Sequence, residues 1–232
     1  MSVIEVNGLR FSYRGAPRPV LDGVDLKIER GRRVLLLGAN GAGKTTLMRV
    51  LAGKHMVDHE TVRVLGSSAF HDPDLSSKIE MLGGRFPFEV DLRVAEILDR
   101  QVGIDASRLG RLIDVLGVDR EWHMHAVSDG QRRRVQLLLG LMRPREILLL
   151  DEITTDLDLI ASADLLEFLR EESTRGTTIV YATHIFDTLD TWATDVVFMA
   201  AGRVAFARPL PEVMEVGVPL VKLVERWLRR GV

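Results

Sequence analysis

A run of glycines and small residues between positions 38 and 46 has the spacing of a phosphate-binding loop. Residues 38–45, Gly-Ala-Asn-Gly-Ala-Gly-Lys-Thr, match the pattern G-x-x-x-x-G-K-[ST] in full. Glycines let successive backbone N–H groups converge on phosphate oxygens, while the lysine neutralises their charge and the threonine hydroxyl can bind Mg²⁺. The loop predicts a site for a nucleoside triphosphate with Mg²⁺, built from Gly38, Ala39, Asn40, Gly41, Ala42, Gly43, Lys44, Thr45 and Thr46.

A pair of acids after an apolar run is the second candidate group. Residues 147–150, Ile-Leu-Leu-Leu, predict a buried strand, and Asp151 and Glu152 follow it directly. Open α/β sheets bind ligands at the carboxyl ends of their strands. We expect the Thr45 hydroxyl to bind Mg²⁺, Asp151 to hold the ion through a water molecule, and Glu152 to act as the general base that polarises the attacking water. Taken alone, the two acids are equally typical of a solvated loop.

The elements that must position these residues alternate between strand and helix patterns. Val24, Leu26 and Ile28 alternate with polar residues, and 33–37 is a continuous apolar run that leads into the loop. A helix is expected to follow over 47–51. Further strands are predicted at 61–65, 79–82, 147–150, 178–182 and 196–199, with a hairpin turn at 200–202 into 204–206.

Helical spacing of apolar residues predicts an all-helical lobe between about 86 and 142, inserted between strands of a parallel sheet. The same spacing recurs in the tail, where we expect an amphipathic helix that docks on the body rather than on a membrane surface. The residues that form these faces are Val94, Ile97, Leu98 and Val102; Leu109, Leu112, Ile113 and Leu116; Val135, Leu138, Leu139 and Met142; and Leu220, Leu223, Val224 and Trp227.

Composition narrows the function classes. The net charge of −2 and the pI near 6.3 give no general attraction to nucleic acid or to anionic membranes. The chain has no cysteine, which excludes disulfides and thiolate metal sites. No apolar run approaches the roughly 18–20 residues of a membrane span, and no signal-peptide pattern is present. We therefore expect a cytoplasmic protein with no direct membrane insertion.

The segment before the third helical run resembles the LSGGQ signature of ATP-binding cassette (ABC) ATPases, since it reads Val127-Ser-Asp-Gly-Gln131. Tyr13 stands where that family has an aromatic residue that stacks on adenine. Asp158, in Asp-Leu-Asp, matches the D-loop aspartate, and His184, after residues 178–182, matches the histidine that senses the γ-phosphate. Without this resemblance, Tyr13 and His184 would be ordinary packing or structural residues.

The resemblance implies an α/β fold: the ABC cassette of P-loop NTPases, with a mixed sheet core, an antiparallel β subdomain and an inserted α-helical lobe. We expect one domain over 1–232, with the core and β subdomain at about 1–85 and 143–215, the lobe at about 86–142 and a C-terminal helix at about 218–230. It also implies Mg²⁺-dependent ATP hydrolysis in a head-to-tail dimer, either a homodimer or a heterodimer with a similar chain. Ser128, Gly130 and Gln131 of one subunit would then face the ATP bound by the other.

Two positions depart from the family pattern. Asp129 replaces the first signature glycine, and a carboxylate near the γ-phosphate costs Coulomb energy. The glutamine of the Q-loop is missing, since residues 83–86 are Gly-Gly-Arg-Phe. In both departures, and in the motifs at 127–136 and 154–158, the chain resembles the small soluble ABC ATPases related to a yeast factor of transcription-regulatory complexes. These ATPases also have relatives in plants. Residues 132–134, three arginines, are interpreted as a solvated or interface helix face rather than a nucleic-acid patch.

Three functions therefore remain open. The first is the ATPase subunit of a transporter with separate membrane subunits. The second is a soluble ATPase that regulates a protein client, and the third is a nucleotide-binding scaffold that does not hydrolyse ATP. We favour the second. Hydrolysis separates the third function from the others, and co-purification from cells separates the first two.

Overall fold

The computed structural model describes residues 1–84, 91–184 and 189–230. Within them the strands are β1 (Ser2–Phe11), β2 (Leu21–Glu29), β3 (Arg33–Gly38), β4 (Val62–Val64), β5 (Ser67–Ser68), β6 (Ile79–Gly83), β7 (Ile147–Asp151), β8 (Thr178–Ala182), β9 (Asp195–Ala200) and β10 (Arg203–Pro209). The α-helices are α1 (Lys44–Leu51), α2 (Val94–Asp99), α3 (Ala106–Leu116), α4 (Asp129–Leu141), α5 (Leu159–Thr174), α6 (Leu189–Trp192), α7 (Leu210–Val213) and α8 (Leu220–Arg230), and a 3₁₀ helix spans Pro73–Ser77.

The strands form two sheets. The smaller sheet is antiparallel with strand order β2-β1-β4-β5, and the alternation predicted for β2 is confirmed because Val24, Leu26 and Ile28 are all buried. The larger sheet has the order β10-β9-β3-β8-β7-β6, in which all neighbours are parallel except the antiparallel pair β9–β10. The fold is therefore the predicted mixed α/β arrangement with a separate antiparallel sheet.

The parallel register brings the candidate site to one edge of the large sheet. Gly83 of β6 pairs with Asp151 of β7, Asp151 pairs with Ala182 of β8, and Ala182 pairs with Leu36 of β3. The residues that follow these strands therefore leave the sheet side by side at its carboxyl edge, which is where such sheets bind ligands.

The hairpin between β9 and β10 turns at Ala201 and Gly202, as predicted. Both residues have positive φ, 48° and 77°, which is the conformation of a two-residue type I′ turn. β9 carries the hairpin back across β3, where its Met199 lies against the start of the phosphate loop.

Three of the helices lie between β6 and β7, as the helical spacing predicted. Leu112 and Leu116 of α3 and Val135 and Leu138 of α4 are buried in one cluster. The prediction was wrong for Val102, which is 82% exposed. Helix α2 ends at Asp99 and the chain then turns, so that Val102 lies beyond the helix. Residues 85–90, where the lobe was predicted to begin, lie outside the described residues.

A buried ion pair connects the helices between β6 and β7 to α5. Arg108 of α3 donates from two nitrogens to both carboxylate oxygens of Glu172 in α5, at 2.9 and 2.8 Å. Its Nε also donates to the carbonyl oxygen of Leu141 at the end of α4, at 2.9 Å. The arginine therefore links three helices through one side chain.

The C-terminal helix α8 docks on the body, as expected. Leu220, Leu223 and Val224 are buried. The half-buried ring of Trp227 meets Phe206 and Phe198 of the hairpin edge-on, with centroids 5.1 and 5.9 Å away. Among the described residues, no helix has the length and apolar character needed to cross a membrane.

Candidate functional site

The phosphate loop connects β3 to α1 in a conformation that requires its glycines. Gly38 has φ 149°, and a Cβ there would lie 2.3 Å from the carbonyl oxygen of Met199. Gly43 has φ 103° and directly precedes α1, and a Cβ there would lie 2.8 Å from Leu21. The backbone is therefore packed tightly on both sides, which fixes the N–H groups at the start of α1, where anions are stabilised.

Lys44 folds back over the loop. Its Nζ donates to the carbonyl oxygens of Gly38 and Ala39, at 2.8 and 3.1 Å. Burial lowers the pKa of Lys44 from its usual value, while the nearby carboxylates of Glu152 and Asp151 oppose that shift. The ammonium group thus stands between the loop and the acids, where it can neutralise phosphate oxygens.

Thr45 and Asp151, the two predicted Mg²⁺ ligands, are brought together. The Thr45 hydroxyl donates to Oδ2 of Asp151 at 2.7 Å. The threonine oxygen could therefore bind Mg²⁺ directly, and the adjacent carboxylate of Asp151 could hold the ion through a water molecule.

Glu152 and His184 also meet at this edge. Nδ1 of His184 lies 3.0 Å from Oε1 of Glu152, and the Glu152 N–H donates to the carbonyl oxygen of Ala182 at 2.8 Å. Glu152 has φ 52°, a conformation that non-glycine residues rarely adopt and that is concentrated at functional sites. The carboxylate is therefore held next to Asp151 by backbone geometry and can position a water molecule.

Tyr13 lies beside α1, and its predicted stacking on adenine stays a prediction. Its hydroxyl is 3.2 Å from Oγ1 of Thr46 and 3.4 Å from Nε2 of His55. His55 was missed in the sequence, although its ring stacks on Phe11 and meets Tyr13 edge-on, with centroids 4.8 and 5.4 Å away. No spacing rule could have connected His55 to Tyr13. The three rings form one half-exposed cluster beside the phosphate loop.

Ser128 and Gln131 cap the start of α4 reciprocally. The Gln131 N–H donates to Oγ of Ser128 at 3.2 Å, and the Ser128 N–H donates to Oε1 of Gln131 at 2.9 Å. Asp129 lies in the first turn of this helix and is exposed, where a carboxylate interacts favourably with the helix dipole. A Cβ on Gly130 would lie 2.9 Å from the carbonyl oxygen of Asp156, so that the signature packs on the loop after β7.

Asp158 caps helix α5. Its Oδ1 accepts from the Ala161 N–H at 2.9 Å, and its Oδ2 pairs with Arg134 of α4. The Ala161 hydrogen bond is the main cause that lowers the pKa of the Asp158 carboxyl, and Arg134 adds to it. The side chain therefore joins α5 to the signature helix within the chain, and its predicted contact with nucleotide stays a prediction.

Comparison with known proteins agrees with this geometry. A family model described as ABC transporter matches residues 21–155, more than half of the 232-residue chain. The chain belongs to the ABC transporter family. It is 45% identical to ABC transporter I family member 20 of Arabidopsis thaliana, over 99% of this chain and 76% of the relative. It is 40% identical to CCR4-associated factor 16 of Saccharomyces cerevisiae, over 87% of this chain and 76% of the relative.

Solved ABC structures share the fold. One described as an ATP binding subunit of an ABC transporter has a TM-score of 0.82 at 22% identity, covering 97% of this chain and 98% of that one. The dimeric structure of a bacterial ABC transporter cassette has a TM-score of 0.75 at 19% identity, covering 89% and 98%. At this level of identity the likeness concerns the fold.

The segment 83–86, where the ABC pattern has its glutamine, begins at the last residue of β6. Gly83 has φ 150°, and a Cβ there would lie 2.6 Å from both the Cβ and the carbonyl oxygen of Asp151. A glutamine at position 83 would therefore displace Asp151. At Gly84 a Cβ would meet nothing within 4 Å, and residues 85 and 86 lie outside the described residues.

Arg133 and Gln136 of α4 contact this same segment, which the sequence did not predict. Arg133 Nη1 donates to the carbonyl oxygen of Gly84 at 3.0 Å and to Oε1 of Gln136 at 2.7 Å. Its Nε pairs with Asp156 at 3.4 Å. The interpretation of residues 132–134 as a solvated or interface face was therefore wrong for Arg133 and Arg134, whose side chains are 14% and 18% exposed and bind aspartates of the same chain.

Proposed function

We propose that this ABC cassette binds Mg-ATP and hydrolyses it in a head-to-tail dimer. The observation that carries the proposal is the 2.7 Å contact between Thr45 and Asp151, with Glu152 directly after Asp151 and His184 3.0 Å from Glu152. A hydroxyl and a carboxylate that could hold Mg²⁺ between them, and a second carboxylate that could position water, are what water attack on a γ-phosphate needs.

Each residue has one task in this mechanism. The backbone of residues 38–46 and the Lys44 ammonium bind the phosphates, and Tyr13 stacks on the adenine. Thr45 would bind Mg²⁺ directly and Asp151 would hold it through a water molecule, and the ion would neutralise the charge that develops on the phosphate oxygens. Glu152 orients the attacking water and accepts its proton, while His184 contacts the γ-phosphate and fixes the Glu152 carboxylate.

Replacing Glu152 tests the hydrolytic step. Glu152→Gln should abolish ATP turnover and retain ATP binding, because the amide cannot accept the proton. Glu146→Gln is the matched control, since Glu146 precedes the other end of β7 and pairs with Arg30. Turnover that is unchanged in Glu152→Gln would remove the catalytic assignment and leave a nucleotide-binding scaffold. Lys44→Ala should lose ATP binding, and micromolar affinity in that variant would contradict the phosphate-loop argument.

Exposed apolar residues support a second cassette as the partner. Leu159 and Ile160, which follow Asp158 at the start of α5, are 78% and 74% exposed. Ser128 at the start of α4 is exposed too. A second copy of the chain would cover both regions and place its ATP against Ser128, Gly130 and Gln131. With ATP, Glu152→Gln should elute as a dimer in size-exclusion chromatography with light scattering, and Leu159→Asp added to it should remain monomeric. Retention of the dimer would disprove this interface.

For the biological role we propose a cytoplasmic ATPase that regulates a protein client. The identities to the plant I family member and to a CCR4-associated factor support this role, as does the absence of a glutamine at 83 or 84. The alternative is the ATP-binding subunit of a transporter whose membrane subunits are separate chains. Purification of the tagged chain from intact cells separates the two, since recovery with integral membrane proteins would overturn the regulatory role.

A further inference from the structure

A short β-bridge in the helical lobe places three metal-binding side chains together. Arg93 and His123 are paired antiparallel, and backbone hydrogen bonds flank them from Val94 N–H to Trp122 O at 2.9 Å and from Met124 N–H to Leu92 O at 3.0 Å. In such a pair, residues two positions away lie opposite each other on the same face. Asp91 therefore lies opposite His125 and on the same side as His123.

The side chains converge on one carboxylate oxygen. Nδ1 of His125 is 2.7 Å and Nδ1 of His123 is 3.1 Å from Oδ1 of Asp91. One ligand atom from each of the three residues lies within 4.8 Å of the others. Tetrahedral zinc with bonds of about 2.0–2.2 Å has ligand atoms about 3.3–3.5 Å apart. The two contacts with Asp91 would have to lengthen from 3.1 and 2.7 Å by about 0.2–0.8 Å, which the exposed side chains allow.

The charges around the cluster do not oppose a cation. Arg93 shares the face of the bridge, but its guanidinium pairs with Glu96 at 3.4 Å and Glu121 at 3.2 Å. Asp91 adds a further negative charge. Two neutral imidazoles and one carboxylate form a donor set that suits zinc and similar divalent transition metals, and exposure leaves room for a water as the fourth ligand.

We propose that Asp91, His123 and His125 bind one divalent transition-metal ion of the zinc type. The ion would join the chain before α2 to the chain before α4, and so add a further link between two loops that the β-bridge already connects. The site is structural, and it uses none of the residues assigned to ATP. Its failure would leave the proposed function untouched.

Metal titration of the untagged full-length protein tests the site. After chelator treatment and dialysis, calorimetry with Zn²⁺ should give one ion per chain, and Co²⁺ should give the visible absorption of a tetrahedral site. His123→Ala and His125→Ala should each weaken Zn²⁺ binding about tenfold or more. Because all three residues are exposed, circular dichroism should show that these variants fold normally.

The control is a second histidine pair in the same chain. His59 and His71 have ring centroids 5.1 Å apart, but their Nδ1 atoms contact Glu60 and Ser68 respectively. The double variant His59→Ala/His71→Ala should bind Zn²⁺ like wild type. The proposal fails if wild type binds no better than Asp91→Asn/His123→Ala/His125→Ala, or if the control variant is the one that loses binding. Zn²⁺ should also raise the Tm of wild type and not that of the triple variant.

Discussion

Gly83→Ala should damage the proposed magnesium site, and Gly84→Ala is its matched control. Both glycines have left-handed φ, 150° and 71°, so that both substitutions strain the backbone. They differ in what the added methyl group meets. At position 83 it would lie 2.6 Å from atoms of Asp151, which is well inside van der Waals contact, whereas at 84 nothing lies within 4 Å.

The expected losses of stability come from the backbone strain and from the clash of the added methyl group. Left-handed strain costs about 1–2 kcal/mol in the control. In Gly83→Ala the clash adds about 1–3 kcal/mol. For a chain of this size, about 2–4 °C of Tm is lost per kcal/mol. Asp151 must also move away from Thr45, and a loss of about 1.4 kcal/mol in Mg²⁺ binding corresponds to a tenfold change.

Two assays separate the effects. Thermal unfolding in EDTA measures the folding cost alone, and ATP turnover titrated with Mg²⁺ measures the half-saturating metal concentration. We expect that concentration to rise about tenfold in Gly83→Ala and to stay at the wild-type value in Gly84→Ala. Equal half-saturating Mg²⁺ concentrations in the two variants would refute the conclusion that a side chain at position 83 displaces Asp151.

Three further substitutions probe contacts between distant parts of the chain. Glu172→Gln should lower the free energy of unfolding by about 3–5 kcal/mol in urea titrations, because it leaves the buried Arg108 charge uncompensated; a loss below 1 kcal/mol would contradict this. Trp227→Ala should cost about 2 kcal/mol, measured the same way, and an unchanged stability would show that α8 docks without its ring. Arg133→Ala should slow ATP turnover more than it weakens ATP binding, since Arg133 holds Gly84 and does not touch the phosphate loop; equal losses in kcat and in affinity would argue against this role.

The sequence predicted the parts of the site that depend on local chemistry. The phosphate loop, the strand before Asp151 and the hairpin at Ala201 each follow from residues that are neighbours in the chain. Helical spacing also placed Leu112 and Val135 in the core. It failed at Val102, because periodicity continues past the point where α2 ends.

Contacts between distant segments could not be predicted. Arg133 lies 49 positions from Gly84, and its side chain is directed there by the way α4 packs on β6. His55 joins Tyr13 across 42 positions. The steric reason for Gly83 depends on its register with Asp151, which only the assembled sheet provides. In each case the missing information is which elements become neighbours.

Ser128 caps the start of α4 and is also proposed to face the ATP of a partner subunit. A suitable substitution there could therefore prevent assembly without affecting folding. The Ser128 oxygen accepts the Gln131 N–H, which leaves its own proton free to be donated outwards. Aspartate caps helices as well as serine does but has no proton at neutral pH, and it would repel a phosphate. Ser128→Asp should therefore yield a stably folded chain that cannot close on a partner's ATP, a separation-of-function allele, whereas Ser128→Ala weakens both properties. Phenotypes of the two alleles in cells would then distinguish the need for the protein from the need for its proposed ATP-bound dimer.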